Sequence, residues 1–172
     1  MNSKKQVAAG SRIALSAMMA ALALIFSYVE AIIPFNFGIP GVKLGIANLV
    51  ILTSLYVLSF RYTLSINVIR ILVAGLLFNG FFGAMYSLAG GLLSLLVMAL
   101  LKKTGLFSVV GISMAGGVAH NLGQLLVAAL LVSTGKLFFY FPVLLFSGLI
   151  SGILIGIVTY LILKRLPERP LG

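Results

Sequence analysis

The sequence has no cysteine and no aspartate. It has two glutamates, Glu30 and Glu168, and one histidine, His120. Each shortage removes a class of chemistry. Without cysteine there is no disulfide, no thiolate nucleophile and no thiolate-bound metal. Two glutamates with no aspartate beside them form no acidic cluster that could hold Mg²⁺ for phosphoryl or prenyl transfer. A lone histidine makes neither a zinc site nor a Ser-His-acid set. No Walker A motif is present, so the chain does not drive itself with ATP. We therefore expect no enzyme, no catalytic residue, no cofactor and no metal. Binding and passage remain.

Charge of both signs is also scarce. Charged residues make up 8% of the chain and hydrophobic ones 62%, with a mean hydropathy of +1.24. A water-soluble globule carries about 25% charged residues, so the main solvent of this chain is lipid. Its length suits about five to seven spans of ~20 apolar residues. The net charge of +10 comes from 12 Lys and Arg against 2 acids. In a soluble protein that excess would suggest nucleic acid. Here the basic residues fall between apolar segments, where topology explains them, and no nucleic-acid partner is expected. The opening "MNSKKQVAAGSRIALSAMMAALALIF" has the basic-then-apolar form of a signal peptide and equally of a first span. Because apolar segments follow throughout, it reads as a retained span.

The hydropathy pattern predicts an all-α integral membrane protein, one transmembrane domain over 1–172. It is a bundle of about six helices, at Ile13–Ile33, Leu44–Phe60, Tyr62–Phe78, Phe81–Leu101, Phe107–Val132 and Phe138–Leu163. The joints at Arg61 and at Asn79-Gly80 are tight, so the third and fourth spans are open to a broken or re-entrant arrangement. With a cytoplasmic N-terminus, one side holds Lys4, Lys5, Arg12, Arg61, Lys102, Lys103, Lys164, Arg165 and Arg169, and the other only Lys43 and Lys136. The positive-inside rule then puts both termini of a multi-pass membrane protein in the cytoplasm.

Between the first two spans runs "PFNFGIPGVK", Pro34 to Lys43, with two prolines and two glycines that exclude helix. Two readings stand: an interfacial loop with aromatic anchors, or a lid over an outward-facing pocket. Small residues recur every fourth position. They are Gly148, Gly152 and Gly156 in span 6, Gly111, Ala115, Ala119 and Gly123 in span 5, and Gly83, Ser87 and Gly91 in span 4. Such stripes let helix backbones approach closely in lipid, and we expect them to pack within the chain.

Polar groups in an apolar span need a reason, since an ionisable one costs roughly 2.5–3.5 kcal/mol on insertion scales. Arg70 lies ~13 Å along the helix from Arg61, near mid-bilayer, with Asn67 one turn earlier on the same face. Glu30 is about a turn from the outer end of span 1. Asn36, Lys43 and Asn48 follow on the outer side, and Asn79 closes span 3. In "AGGVAHNLGQ", His120 and Gln124 share a face by their spacing, as do Asn121 and Gln124. Separate interhelical hydrogen bonds are one explanation of these residues. The other is a single outward-opening polar cavity, with Glu30, Asn36, Lys43, Asn48, Arg70, Asn79, His120, Asn121 and Gln124 as candidate substrate contacts. In it Arg70 or Lys43 would take an anionic group and the span 5 residues would hydrogen-bond. A proton-coupled carrier using Glu30 and His120 is a weaker alternative.

The stretches "ALIFSYVEAIIPF", "GVKLGIANLVIL", "RILVAGLLF", "SLAGGLLSLLVMALLKK" and "GGVAHNLGQLLVA" together resemble a bacterial membrane family. It is known as the Gx transporter family and also as heptaprenyl diphosphate synthase component I. The family is similar to the substrate-binding (S) components of energy-coupling factor transporters. The resemblance implies a six-helix subunit that captures a vitamin-like or isoprenoid- or quinone-related precursor from outside. A transmembrane coupling protein and ATPase subunits would supply the power. It also implies that an Ala-x-x-x-Ala stripe on span 1, matched by Ala17 and Ala21, contacts the coupling protein. The synthase name offers an alternative, a non-catalytic membrane partner in polyprenyl diphosphate or quinone synthesis. A link of the family to flavin-based electron export offers another. Prenyl synthases bind Mg²⁺-diphosphate through aspartate-rich motifs, and this chain has no aspartate.

Overall fold

The computed structural model describes residues 2–33 and 45–166, with side chains from residue 10 onward. The described residues are almost entirely helical, and no strand occurs among them. Six α-helices follow one another: α1 (Asn2–Ile32), α2 (Ile46–Val57), α3 (Phe60–Ala74), α4 (Gly80–Thr104), α5 (Val109–Leu131) and α6 (Phe141–Arg165). Four helical stretches are long and apolar enough to cross a membrane: Gly10–Ile32, Phe60–Thr104, Val109–Leu131 and Gly135–Arg165. The second includes both α3 and α4, and α2 is too short to count.

Local chemistry accounts for the breaks. α3 and α4 are joined by a π-helical turn, Gly75–Asn79, and by Gly80 at φ +67°, a conformation open to glycine at little cost. The two legs then run back antiparallel, as the pairings of Gly75 with Ala84 and of Asn67 with Gly91 show. The tight joint at Asn79-Gly80 is thus a helical hairpin. Gly105, at φ +66°, ends α4, its N–H donating to the Lys102 carbonyl. The Ser108 hydroxyl accepts from the Gly111 N–H at 3.1 Å and caps α5. α6 is preceded by a 3₁₀ turn, Gly135–Tyr140, and carries Pro142 in its first turn, where a missing N–H costs nothing. It therefore starts later than the apolar run alone predicts.

α2 is apolar around most of its circumference, with Asn48, Thr53 and Ser54 as its polar side chains, and a helix of that kind belongs inside a bundle. Val50, Ile51, Leu52 and Leu55 are all buried, and with Leu58 they meet Ala23, Ile66, Leu95, Met98 and Ile112 from the surrounding helices. Having protein around it, α2 does not need the length of a lipid-facing span. At its C-terminal end, Lys102 of α4 donates to the Leu55 carbonyl and lies over the Tyr56 ring, 4.8 Å from its centre.

Glycines set the closest helix contacts. A Cβ at Gly117 would lie 2.3 Å from the Gly148 carbonyl oxygen. One at Gly152 would lie 2.6 Å from Met114 Cα, and one at Gly156 2.7 Å from Val110 Cα. The span 6 stripe thus packs against α5 as expected. The span 5 stripe divides. Gly123 meets Ala89 and Gly90 of α4, whereas Gly111 faces only Ser108 and Phe107 of its own capping turn. The reason is geometric: steps of four residues drift ~40° around a helix of 3.6 residues per turn, so a stripe of three such steps leaves one face. The face toward α6 is instead Val110, Met114 and Gly117.

Candidate functional site

Five helices enclose one polar cavity. α1 contributes Ser27 and Glu30, and the start of α2 contributes Gly45 and Asn48. α3 contributes Arg70, Ile71 and Ala74, and the π-helical turn contributes Asn79. α4 contributes Ser87, and α5 contributes His120 and Gln124. The space between them is about 480 Å³, including its open mouth.

Arg70 lines this cavity and is only 8% exposed. Asn67, three residues earlier, accepts from Arg70 Nη2 at 2.8 Å, and Asn67 Nδ2 donates to the Gly91 carbonyl at 3.0 Å. The α3–α4 hairpin therefore holds the guanidinium in place through Asn67. On the other side, Nη1 donates to Ser27 Oγ at 3.4 Å, and that hydroxyl donates to the Ala23 carbonyl at 2.9 Å. Arg70 Nε is buried and has no acceptor.

Glu30 sits at the start of α2, where Glu30 Oε1 accepts from the Ile46 N–H at 2.7 Å. A carboxylate there satisfies one of the helix's free N–H groups and complements the positive end of its dipole. Gly45 permits this close start at φ +73°, where a Cβ would lie 3.3 Å from Ile155 Cδ1 and 3.4 Å from Asn48 Nδ2. α2 has 12 residues, which at 1.5 Å each put its start only ~18 Å from its Lys102 end. The N-terminus of α2 thus opens inside the bundle.

α5 reaches the cavity because Gly90 lets it. A Cβ at Gly90 would fall 2.7 Å from the His120 carbonyl oxygen and 2.9 Å from Gln124 Cγ. Glycine at that position is what allows the His120 and Gln124 side chains to come this near α4.

Of the nine residues expected in the site, Glu30, Asn48, Arg70, Asn79, His120 and Gln124 line the cavity. Asn121 turns away and donates through Nδ2 to the Leu144 carbonyl of α6 at 2.7 Å. It therefore separates from His120 and Gln124, since adjacent residues on a helix point ~100° apart. Asn36 and Lys43, with the rest of the Pro34–Lys43 loop, lie outside the described residues. Ala17 and Ala21 are both exposed on α1, away from the bundle.

Among the described residues Ser27 and Ser87 join the polar lining, beyond the positions singled out in the sequence. Ser27 had a signal, standing one helical turn before Glu30 on the same face. Ser87 stands in the sequence as a small residue between Gly83 and Gly91, with nothing to mark it as lining. Gly45 carried no signal, because its place depends on where α2 begins.

Comparison with curated proteins and with solved structures finds no match. The family model described as heptaprenyl diphosphate synthase component I matches residues 19–162, which span all six α-helices, and the chain belongs to that family.

Proposed function

We propose that the protein is the substrate-binding membrane subunit of an energy-coupling-factor-type importer. On this reading six helices cross the bacterial plasma membrane, both termini are cytoplasmic, and the chain binds a ligand without transforming it. The observation that carries the proposal is the convergence of six candidate residues, from four α-helices and the π-helical turn, on one cavity that a buried arginine lines. Buried ionisable groups in membrane bundles mark substrate pathways, and ligand sites combine apolar walls with a few placed polar groups. With the Lys102 end of α2 on the cytoplasmic side, the cavity lies in the outer half of the bilayer. The ligand is a vitamin-like or isoprenoid- or quinone-related precursor.

Ala17 and Ala21, exposed on α1, are then the surface for a transmembrane coupling protein, and separate ATPase subunits supply the energy that this sequence does not. The test is purification of the tagged chain from its native membrane. Recovery of ATPase subunits, together with ATP-dependent uptake of a copurifying small molecule, supports the proposal. Recovery of a prenyl synthase with no ATPase would refute it and favour the second reading. That reading, a non-catalytic membrane partner in polyprenyl diphosphate synthesis, is supported by the family's description.

A further inference from the structure

Among the described residues the cavity is lined by one arginine, one glutamate and His120, and Arg70 and Glu30 are each anchored to something other than the other. Arg70 donates to two neutral acceptors, Ser27 Oγ at 3.4 Å and Asn67 Oδ1 at 2.8 Å. Its Nε–H has no acceptor although the residue is 8% exposed. Glu30 accepts from the Ile46 N–H at 2.7 Å. Both line the same space, yet they form no ion pair with each other. Glu30 acts on Arg70 through space without touching it, and a buried charge whose hydrogen bonds go only to neutral groups is stabilised by a countercharge in direct contact. The edge of a guanidinium formed by Nε and one Nη matches the two oxygens of a carboxylate. A carboxylate in turn has several lone-pair sites for a donor.

We infer that the ligand is a small dipolar molecule of amino-acid type, which keeps the vitamin-like class proposed above and sets aside the isoprenoid- and quinone-related ones. Its acidic group lies on the Nε edge of Arg70 and its protonated amine on Glu30. The inference rests on the reading of this cavity as the ligand site. Charge selects against the alternatives. A plain anion would share the cavity with the Glu30 carboxylate, and a plain cation with the Arg70 guanidinium. Like charges brought together at a binding site cost affinity. A net-neutral dipole meets both groups and leaves the charge of the cavity unchanged. Ile71 and Ala74, which also line it, suit an apolar side chain on the ligand.

The test uses the full chain in nanodiscs and nine probes: leucine, methionine and phenylalanine, their N-acetyl derivatives, which lack the cation, and their methyl esters, which lack the anion. Binding is read as the rise in melting temperature with probe concentration. In wild type, at least one free amino acid should bind about 10-fold more tightly than both of its derivatives. Glu30→Gln keeps an oxygen to accept the Ile46 N–H and removes the negative charge. In that variant the N-acetyl form should close most of the gap. Three results overturn the inference: N-acetyl forms binding as well as the parent to wild type, esters doing so, or none of the nine stabilising the protein at millimolar concentration. Recovery of ATPase subunits is measured separately. A chain that binds the dipolar probes without such partners refutes the importer and keeps the dipolar site. A chain that assembles with ATPases and ignores charge pairing does the reverse.

Discussion

Replacing Gly117 with alanine sets two effects of opposite sign against each other. Alanine is the better helix former, by up to ~1 kcal/mol over glycine. The new methyl would lie 2.3 Å from the Gly148 carbonyl oxygen and 3.2 Å from its carbon. These are backbone atoms, so no side chain can rotate out of the way. α5 and α6 must separate by about 1 Å, a gap that forfeits a quarter to a half of each dispersion contact across the seam. The same shift stretches the bond from Asn121 to the Leu144 carbonyl, now 2.7 Å, beyond hydrogen-bonding range. Overpacking of this kind costs ~1–3 kcal/mol, and a lost interhelical hydrogen bond adds ~0.6 kcal/mol. With rigid backbone on both sides the upper end applies, so the net loss should be about 2.6 kcal/mol, or ~80-fold in the unfolding equilibrium. The control is Gly111→Ala on the same helix, where the nearest atom is Ser108 Oγ at an ordinary 3.5 Å. It should be neutral or slightly stabilising. Denaturant titration of the purified protein in mixed micelles compares the two. If Gly117→Ala unfolds at the same denaturant concentration as Gly111→Ala, the backbone contact between α5 and α6 is not as described.

Other substitutions probe the remaining contacts. Asn67→Leu removes the acceptor of Arg70 and the donor to the Gly91 carbonyl. It should destabilise the chain by roughly 1–3 kcal/mol, measured in the same titration. Asn121→Leu removes only the link to α6. It should lower stability by ~0.6 kcal/mol while leaving ligand affinity within about two-fold of wild type, whereas Gln124→Leu should weaken binding. Lys102→Met deletes both the bond to the Leu55 carbonyl and the contact with the Tyr56 ring. It should cost about 1–2 kcal/mol and speed proteolysis at the α2–α3 joint. Ala17→Leu combined with Ala21→Leu adds bulk to an exposed face. It should leave the melting temperature unchanged and reduce recovery of ATPase subunits in pull-downs.

The residues differ in how far their roles could be read from sequence. Composition alone determined the solvent, because 62% hydrophobic and 8% charged residues cannot cover a surface in water. Periodicity and breakers placed the helix ends to within a few residues, since prolines, glycines and serine caps act on neighbouring backbone whatever the fold. The exception is α1, which begins at Asn2 and not at Ile13, because its polar start carries no apolar signal. Depth in the membrane was also local information, which is why Arg70, His120 and Gln124 stood out. Direction around the helix axis was not. Asn121 differs from His120 by one residue and serves a different neighbour, and Gly111 left the packing face by drift along its own stripe. Only the tertiary structure decided that α2 is a short central helix starting inside the bundle. That placement brings Gly45 and the Ile46 N–H to Glu30 and turns Ser27 and Ser87 into lining residues. The physical reason is that a cavity is a property of surfaces facing one another, and the rotation and stagger of helices come from close packing at contacts such as Gly117–Gly148 and Gly90–His120. Those contacts join residues up to 31 positions apart, beyond the reach of any local pattern.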